Sequence, residues 1–111
     1  MTASLDETVE LLRALGHLYT RHSQPKRGLL LLLIAARVAP HDEGVLRTLA
    51  EAFLADRSAQ GSLAVVERLQ SMVGTDHLAL DLLRSRALWL AGDQSEAQRV
   101  FRTVLERREG I

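Results

Sequence analysis

The feature that most limits what this chain can become is a pattern that returns after 34 residues: Leu12, Leu15, Gly16 and Tyr19 come back as Leu46, Leu49, Ala50 and Phe53. A further step of 34 reaches Leu80, Leu83, Arg84 and Ala87, which keeps the two Leu positions and loses the small and the aromatic ones. A repeat of this length is one supersecondary unit that cannot bury its apolar face alone, so neighbouring copies must stack to make a continuous core. In 111 residues there is room for three copies, about 9–42, 43–76 and 77–108, read as a single domain over 1–111.

The unit itself reads as two helices. Leu and Ala supply about a third of the residues, and both lose little rotamer freedom in a helix. Leu12, Leu15, Leu18 and Tyr19 recur at three- and four-residue steps, as do Leu63, Val66, Leu69 and Val73, whereas strand-like alternation is absent. Breakers at Ser23-Gln24-Pro25, Pro40-His41-Asp42, Asp56-Arg57-Ser58, Gly74-Thr75-Asp76 and Ala91-Gly92-Asp93 predict six helices over 6–21, 26–38, 43–56, 60–73, 77–91 and 95–108. Asp42, Thr75 or Asp76, and Asp93 or Ser95 are the expected N-cap acceptors. In the second helix of each copy Leu32 and Ala35 map to Val66 and Leu69. They then map to Val100 and Thr103, or, with one residue inserted at Leu90-Ala91-Gly92, to Phe101 and Val104; the inserted register packs better.

Composition removes several kinds of chemistry. With no Cys there is no disulfide, thiolate zinc site or Cys nucleophile. The 14 basic and 14 acidic side chains cancel, so no global field draws nucleic acid or an anionic membrane. Met1 to Glu7 lack the basic and apolar regions of a secretory signal, and the uncharged stretch from Gly28 to Ala36 is about half of the roughly 20 residues a membrane span requires. His17 and His22 are five residues apart, on different faces of one helix, while His41 and His77 stand at helix starts, which suits capping or surface roles better than metal ligation. Asp42-Glu43 and Asp76 fit helix N-termini, no nucleophile has a placed base, and the Gly residues are too scattered for a phosphate loop. Arg102, Arg107 and Arg108, interleaved with Glu106 and Glu109, read as a solvated helix end. No enzyme, metal or cofactor is expected.

The residues of the first copy carry a family resemblance. Leu12, Leu15-Gly16, Tyr19, the small Gly28, the bulky Leu32, the small Ala35 and the terminal Pro40 resemble the tetratricopeptide repeat, in which Gly16 and Gly28 let two helices approach, Tyr19 and Leu32 fill the gap and Pro40 ends the pair. The second copy keeps Leu46, Leu49, Ala50, Phe53 and Ser62 with Gly74 in place of Pro, and the third has Gly92-Asp93-Gln94-Ser95-Glu96-Ala97 followed by Phe101 and Val104. The resemblance implies an all-α fold of three helix-turn-helix repeats in a short right-handed solenoid. Residues 9–108 are similar to the three-repeat chaperones of bacterial type III secretion, most of all the SctY (YscY-type) family. The similarity rests on Leu15-Gly16-His17-Leu18, the block Gly28 to Pro40, and Leu83-Arg84-Ser85-Arg86-Ala87 leading to Gly92-Asp93. It implies a cytoplasmic bacterial chaperone that holds one small secreted partner, SctX-like, as a heterodimer and delivers it to the export gate, with a homodimer as the form taken alone. Other tetratricopeptide binding modules, such as needle-subunit or translocator chaperones or a self-associating scaffold, share the same signature.

In tetratricopeptide domains the first helix of each pair lines a concave groove. Projected onto this chain, the groove positions are Glu10, Arg13, His17, Thr20 and Arg21, then Arg47, Glu51, Leu54 and Ala55, then Leu82, Arg86, Trp89 and Leu90. Arg47, Arg86 and Trp89 are the expected anchors, because desolvated Arg and Trp carry most interface energy. The run Leu29-Leu30-Leu31-Leu32-Leu33-Ile34 covers the whole circumference of a helix. Sandwiching between neighbouring helices accounts for each Leu singly. Taken together the run predicts apolar area left for a partner.

Overall fold

The computed structural model describes residues 4–109, which form six α-helices: α1 (Leu5–Arg21), α2 (Pro25–Val38), α3 (Glu43–Ala55), α4 (Ala59–Val73), α5 (Leu78–Leu90) and α6 (Gln94–Glu109). Five of the six starts have a local cause. Ser4, Asp42, Ser58 and Asp93 accept hydrogen bonds from the backbone N–H groups of Glu7, Val45, Gly61 and Glu96, so four helices open on an oxygen that satisfies an otherwise orphaned donor. At α2 the device is Pro25 in the first turn, whose missing N–H costs nothing there. Thr75 and Asp76 do not cap α5, contrary to the sequence expectation. His77 occupies that position without a side-chain bond, and Asp76 is held by Arg107 instead.

Helices pack as pairs, α1 with α2, α3 with α4 and α5 with α6; α2 then meets α3, and α4 meets α5. The first helices also touch, α1 against α3 and α3 against α5, whereas α2 and α4 make no such contact among the described residues. One layer is therefore closer together than the other, which gives a short helical-repeat solenoid an inner side lined by α1, α3 and α5. The closest approach is at small residues. A Cβ on Gly16 would lie 2.6 Å from Leu32 Cγ, and one on Gly28 would lie 2.7 Å from the Gly16 carbonyl oxygen. The equivalent crossings use Ala50 against Ser62 and Ser85 against Ala97, all four buried, with the Ser85 hydroxyl donating to the Ala97 carbonyl at 3.0 Å. Leu32, Val66, Leu69 and Leu80 fill the spaces between layers.

The turn within each pair is the same object three times: Ser23, Arg57 and Gly92 all adopt positive φ, at 63°, 61° and 90°. Their spacings of 34 and then 35 show that one extra residue enters between the second and third copies. It does not sit at Leu90-Ala91-Gly92. The helix α4 has 15 residues where α2 has 14, so the addition lengthens α4 before α5 begins. Ser85 and Leu88, not Arg84 and Ala87, therefore stand at the small and bulky positions of α5, and both are buried. In α6 the inserted register holds: Val104 is buried at the position of Leu69, while Phe101, at the position of Val66, stays half exposed.

Arg107 behaves unlike its sequence reading. Asp81 stands where the other copies have Leu12 and Leu46, is nearly buried, and is paired with Arg107, which also reaches Asp76 at 2.6 Å. Hydrogen bonds to Asp76 and Asp81 push the Arg107 guanidinium above its ordinary pKa. Arg107 is thus a tie between α6, α5 and the loop before α5, and not part of a solvated basic end.

Candidate functional site

The inner side forms a hollow of 640 Å³. The helix α1 contributes Arg13, His17, Thr20 and Arg21, a stripe at four- and three-residue steps; α3 contributes Arg47, Thr48, Glu51, Leu54 and Ala55; α5 contributes Ala79, Leu83 and Arg86. A second hollow of 430 Å³ continues from it through the shared Leu54 and Arg86 to Arg57, Trp89 and Leu90. Eleven of the thirteen groove positions projected from the sequence thus line one continuous surface, namely Arg13, His17, Thr20, Arg21, Arg47, Glu51, Leu54, Ala55, Arg86, Trp89 and Leu90, and Glu10 does not. Leu82 lines neither hollow. It stays exposed, although by helical spacing it shares a face with Ala79, three residues before it, and Arg86, four residues after it. Trp89 is more than half exposed, so it is not core packing for α6.

The lining is cationic but unevenly committed. Arg86 makes a two-pronged ion pair across the solenoid with Glu51, at 3.0 and 3.1 Å. Arg13 is held by Glu10 on its own helix; the hydrogen bond from Arg13 keeps the Glu10 carboxyl below its ordinary pKa, and the same bond raises that of Arg13. Arg47 is different: its nearest carboxylate, Glu43, is 4.0 Å away, and its enclosed Nε has no hydrogen-bond partner among the described residues. Arg21 and Arg57 make no ion pair among the described residues. Two guanidinium groups, Arg21 and Arg57, are therefore free to meet anionic groups and Arg47 is held only by the long contact to Glu43, with Leu54, Leu83, Leu90 and Trp89 as apolar ground between them.

The opposite side carries the part of the Leu run that the fold leaves out. Leu29 and Leu32 are buried and Leu31 is half-buried, but Leu30 is 62% exposed, Leu33 45% and Ile34 44%. Neighbouring helices therefore do not sandwich the whole run. At the equivalent positions α4 has Ala64, Glu67 and Arg68, and α6 has Arg99, Arg102 and Thr103. Only the first copy is apolar there. Beside it, a hollow of 540 Å³ between α2 and α4 is floored by Leu46, Leu49 and Val65.

No family model and no curated protein matches this chain. Its chemistry is therefore read from the groove itself. Among the described residues no three His, Asp or Glu side chains gather as a metal site would require, and no helix is long and apolar enough to cross a membrane. The residues that line the groove offer charge, hydrogen-bond donors and apolar contact, the means of holding a polypeptide. Sequence spacing missed Thr48, Ala79 and Leu83 as lining residues. Leu83 had a visible signal, since its repeat partner across the one-residue insertion is Thr48, a polar position, and not the buried Leu49.

Proposed function

We propose that this chain is a non-enzymatic binding module of the chaperone kind, which holds a segment of a smaller partner in the groove of α1, α3 and α5 and against the apolar flank of α2. The observation that carries the reading is the groove floor, where the unpaired Arg21 and Arg57 and the loosely held Arg47 alternate with Leu54, Leu90 and Trp89. Such a lining fits an amphipathic or extended segment bearing acidic side chains. The apolar Leu30, Leu33 and Ile34 support it, because solvent-facing apolar residues act against solubility unless something covers them. With the likeness of residues 9–108 to SctY-type chaperones, the partner we propose is an SctX-like secreted protein, held in the bacterial cytoplasm and handed to the export gate.

The test is co-expression with an SctX-like protein followed by calorimetry on the complex. A stable complex is expected, with Arg47→Glu and Trp89→Ala each weakening it tenfold or more, since removing a desolvated anchor costs about 2 kcal/mol or more. Arg86→Glu should weaken it as well, through a groove wall that loses its tie to Glu51 and gains a repelling charge. Folded variants that all keep full affinity would move the binding surface to the α2 side.

A further inference from the structure

The two ends of the solenoid carry apolar residues at positions that the internal copies bury. On α1, Leu11 is 59% exposed while its repeat partner Val45 is at 0%, and Leu18 is 52% exposed while its partner Ala52 is at 0%. Leu15 lies on the same stripe and is exposed too, where Leu49 is buried. In the second copy the helix that closes this face is α2. At the other end, Phe101 on α6 is 45% exposed although Leu32 and Val66, its partners in α2 and α4, are both at 0%. Leu105, four residues on, is exposed as well. The face of α6 is thus the kind of face that α2 offers to α3, and the face of α1 is the kind that α3 offers to α2. No helix among the described residues covers either one.

Charge favours the same match. The α1 stripe continues backwards from Leu11 to Glu7, and the α6 stripe continues forwards from Phe101 and Leu105 to Arg108. Antiparallel packing of these two faces lays the last turn of α6, which carries Arg108, along the first turn of α1, which carries Asp6 and Glu7.

We propose that copies of this chain stack head to tail, the α6 face of one molecule closing on the α1 face of the next as α2 closes on α3. Such a contact is heterologous, so each added copy leaves a new end open and the concave grooves join into one. Phe101, Leu105 and Arg108 on one side meet Leu11, Leu15, Leu18 and Glu7 on the other.

Sedimentation equilibrium on the full 111-residue chain tests it. The expected result is growth with concentration beyond a dimer, weakened by salt. Leu11→Glu alone and Phe101→Glu alone should each give monomers of unchanged helicity, because each lacks one of the two faces, yet an equimolar mixture of the two should form a 1:1 dimer and stop there. Glu7→Arg should raise the dissociation constant at least tenfold, and adding Arg108→Glu to the same chain should recover most of the loss. A chain that stays monomeric at millimolar concentration, an association that survives both face substitutions, or a mixture that fails to dimerise overturns the proposal.

Discussion

Ser62 shows how much a single atom says about this fold. Its hydroxyl is enclosed where α3 crosses α4 and has no hydrogen-bond partner among the described residues, whereas the same crossing uses Gly28 in the first copy and Ala97 in the third. An unmet buried hydroxyl costs about 1–3 kcal/mol. Ser62→Ala is therefore expected to raise stability by about 1 kcal/mol in urea denaturation; a loss would mean that the hydroxyl donates to its own helix. Gly28→Ala tests the crossing from the other direction. Ala gains about 1 kcal/mol of helix propensity over Gly, but here its Cβ would press on the Gly16 carbonyl, which is backbone and cannot step aside. A net drop in melting temperature is expected. In Gly61→Ala the obstacle is the ring of Phe53, which is only partly buried and can swing outwards, so that variant should lose less.

At the scale of an element, α6 depends on a long-range tie and a local one. Arg107 joins it to Asp81 and Asp76, and the Arg99 hydrogen bond holds the Glu96 carboxyl below its ordinary pKa. Arg107→Ala leaves the nearly buried Asp81 without its cation, so it should lower the melting temperature more than Arg99→Ala does and speed hydrogen exchange over the last two turns of α6. Restoring the apolar residue of the other copies, Asp81→Leu together with Arg107→Leu, should recover much of the loss. Acid acts on the same helix. A carboxyl whose folded pKa is depressed contributes stability that is fully present above its unfolded value, 4.5 for Glu96, and lost as pH falls through the lower folded value. Helicity of α6 should accordingly fall below about pH 4.5, and Glu96→Gln should flatten that limb. Local signals placed every helix to within one or two residues. They failed at Asp76 because a cap competes with any cation nearby, and the competing Arg107 comes from 31 residues away.

The whole molecule divides its Leu run in two, and the division predicts opposite mutant behaviour. Leu32→Asp puts a carboxylate in a site with no solvent access and should unfold the domain, at a cost of several kcal/mol against a total of about 5–15. Leu30→Asp and Ile34→Asp, on the same helix, should leave circular dichroism and melting nearly unchanged, reduce binding of a hydrophobic dye and make the isolated chain more soluble. If they unfold it as Leu32→Asp does, the α2 flank is core.

What the sequence determined alone is everything that depends on near neighbours along the chain. The spacing of Leu12, Leu15 and Tyr19 against Leu46, Leu49 and Phe53 dictates helices, their pairing and the stacking of copies, and the lining projected from the tetratricopeptide resemblance coincides with the hollow nearly residue by residue. The tertiary structure alone decided matters that turn on distant contacts or on rotation by a single residue. It put the extra residue in α4, placed Leu83 in the groove lining and Leu82 outside it, committed Arg86 to Glu51 while leaving Arg47 only a long contact to Glu43, and left Leu30, Leu33 and Ile34 outside the core. A periodic pattern specifies which residues share a face. Which face a neighbour covers, and which charge a distant side chain neutralises, is fixed only when the helices pack.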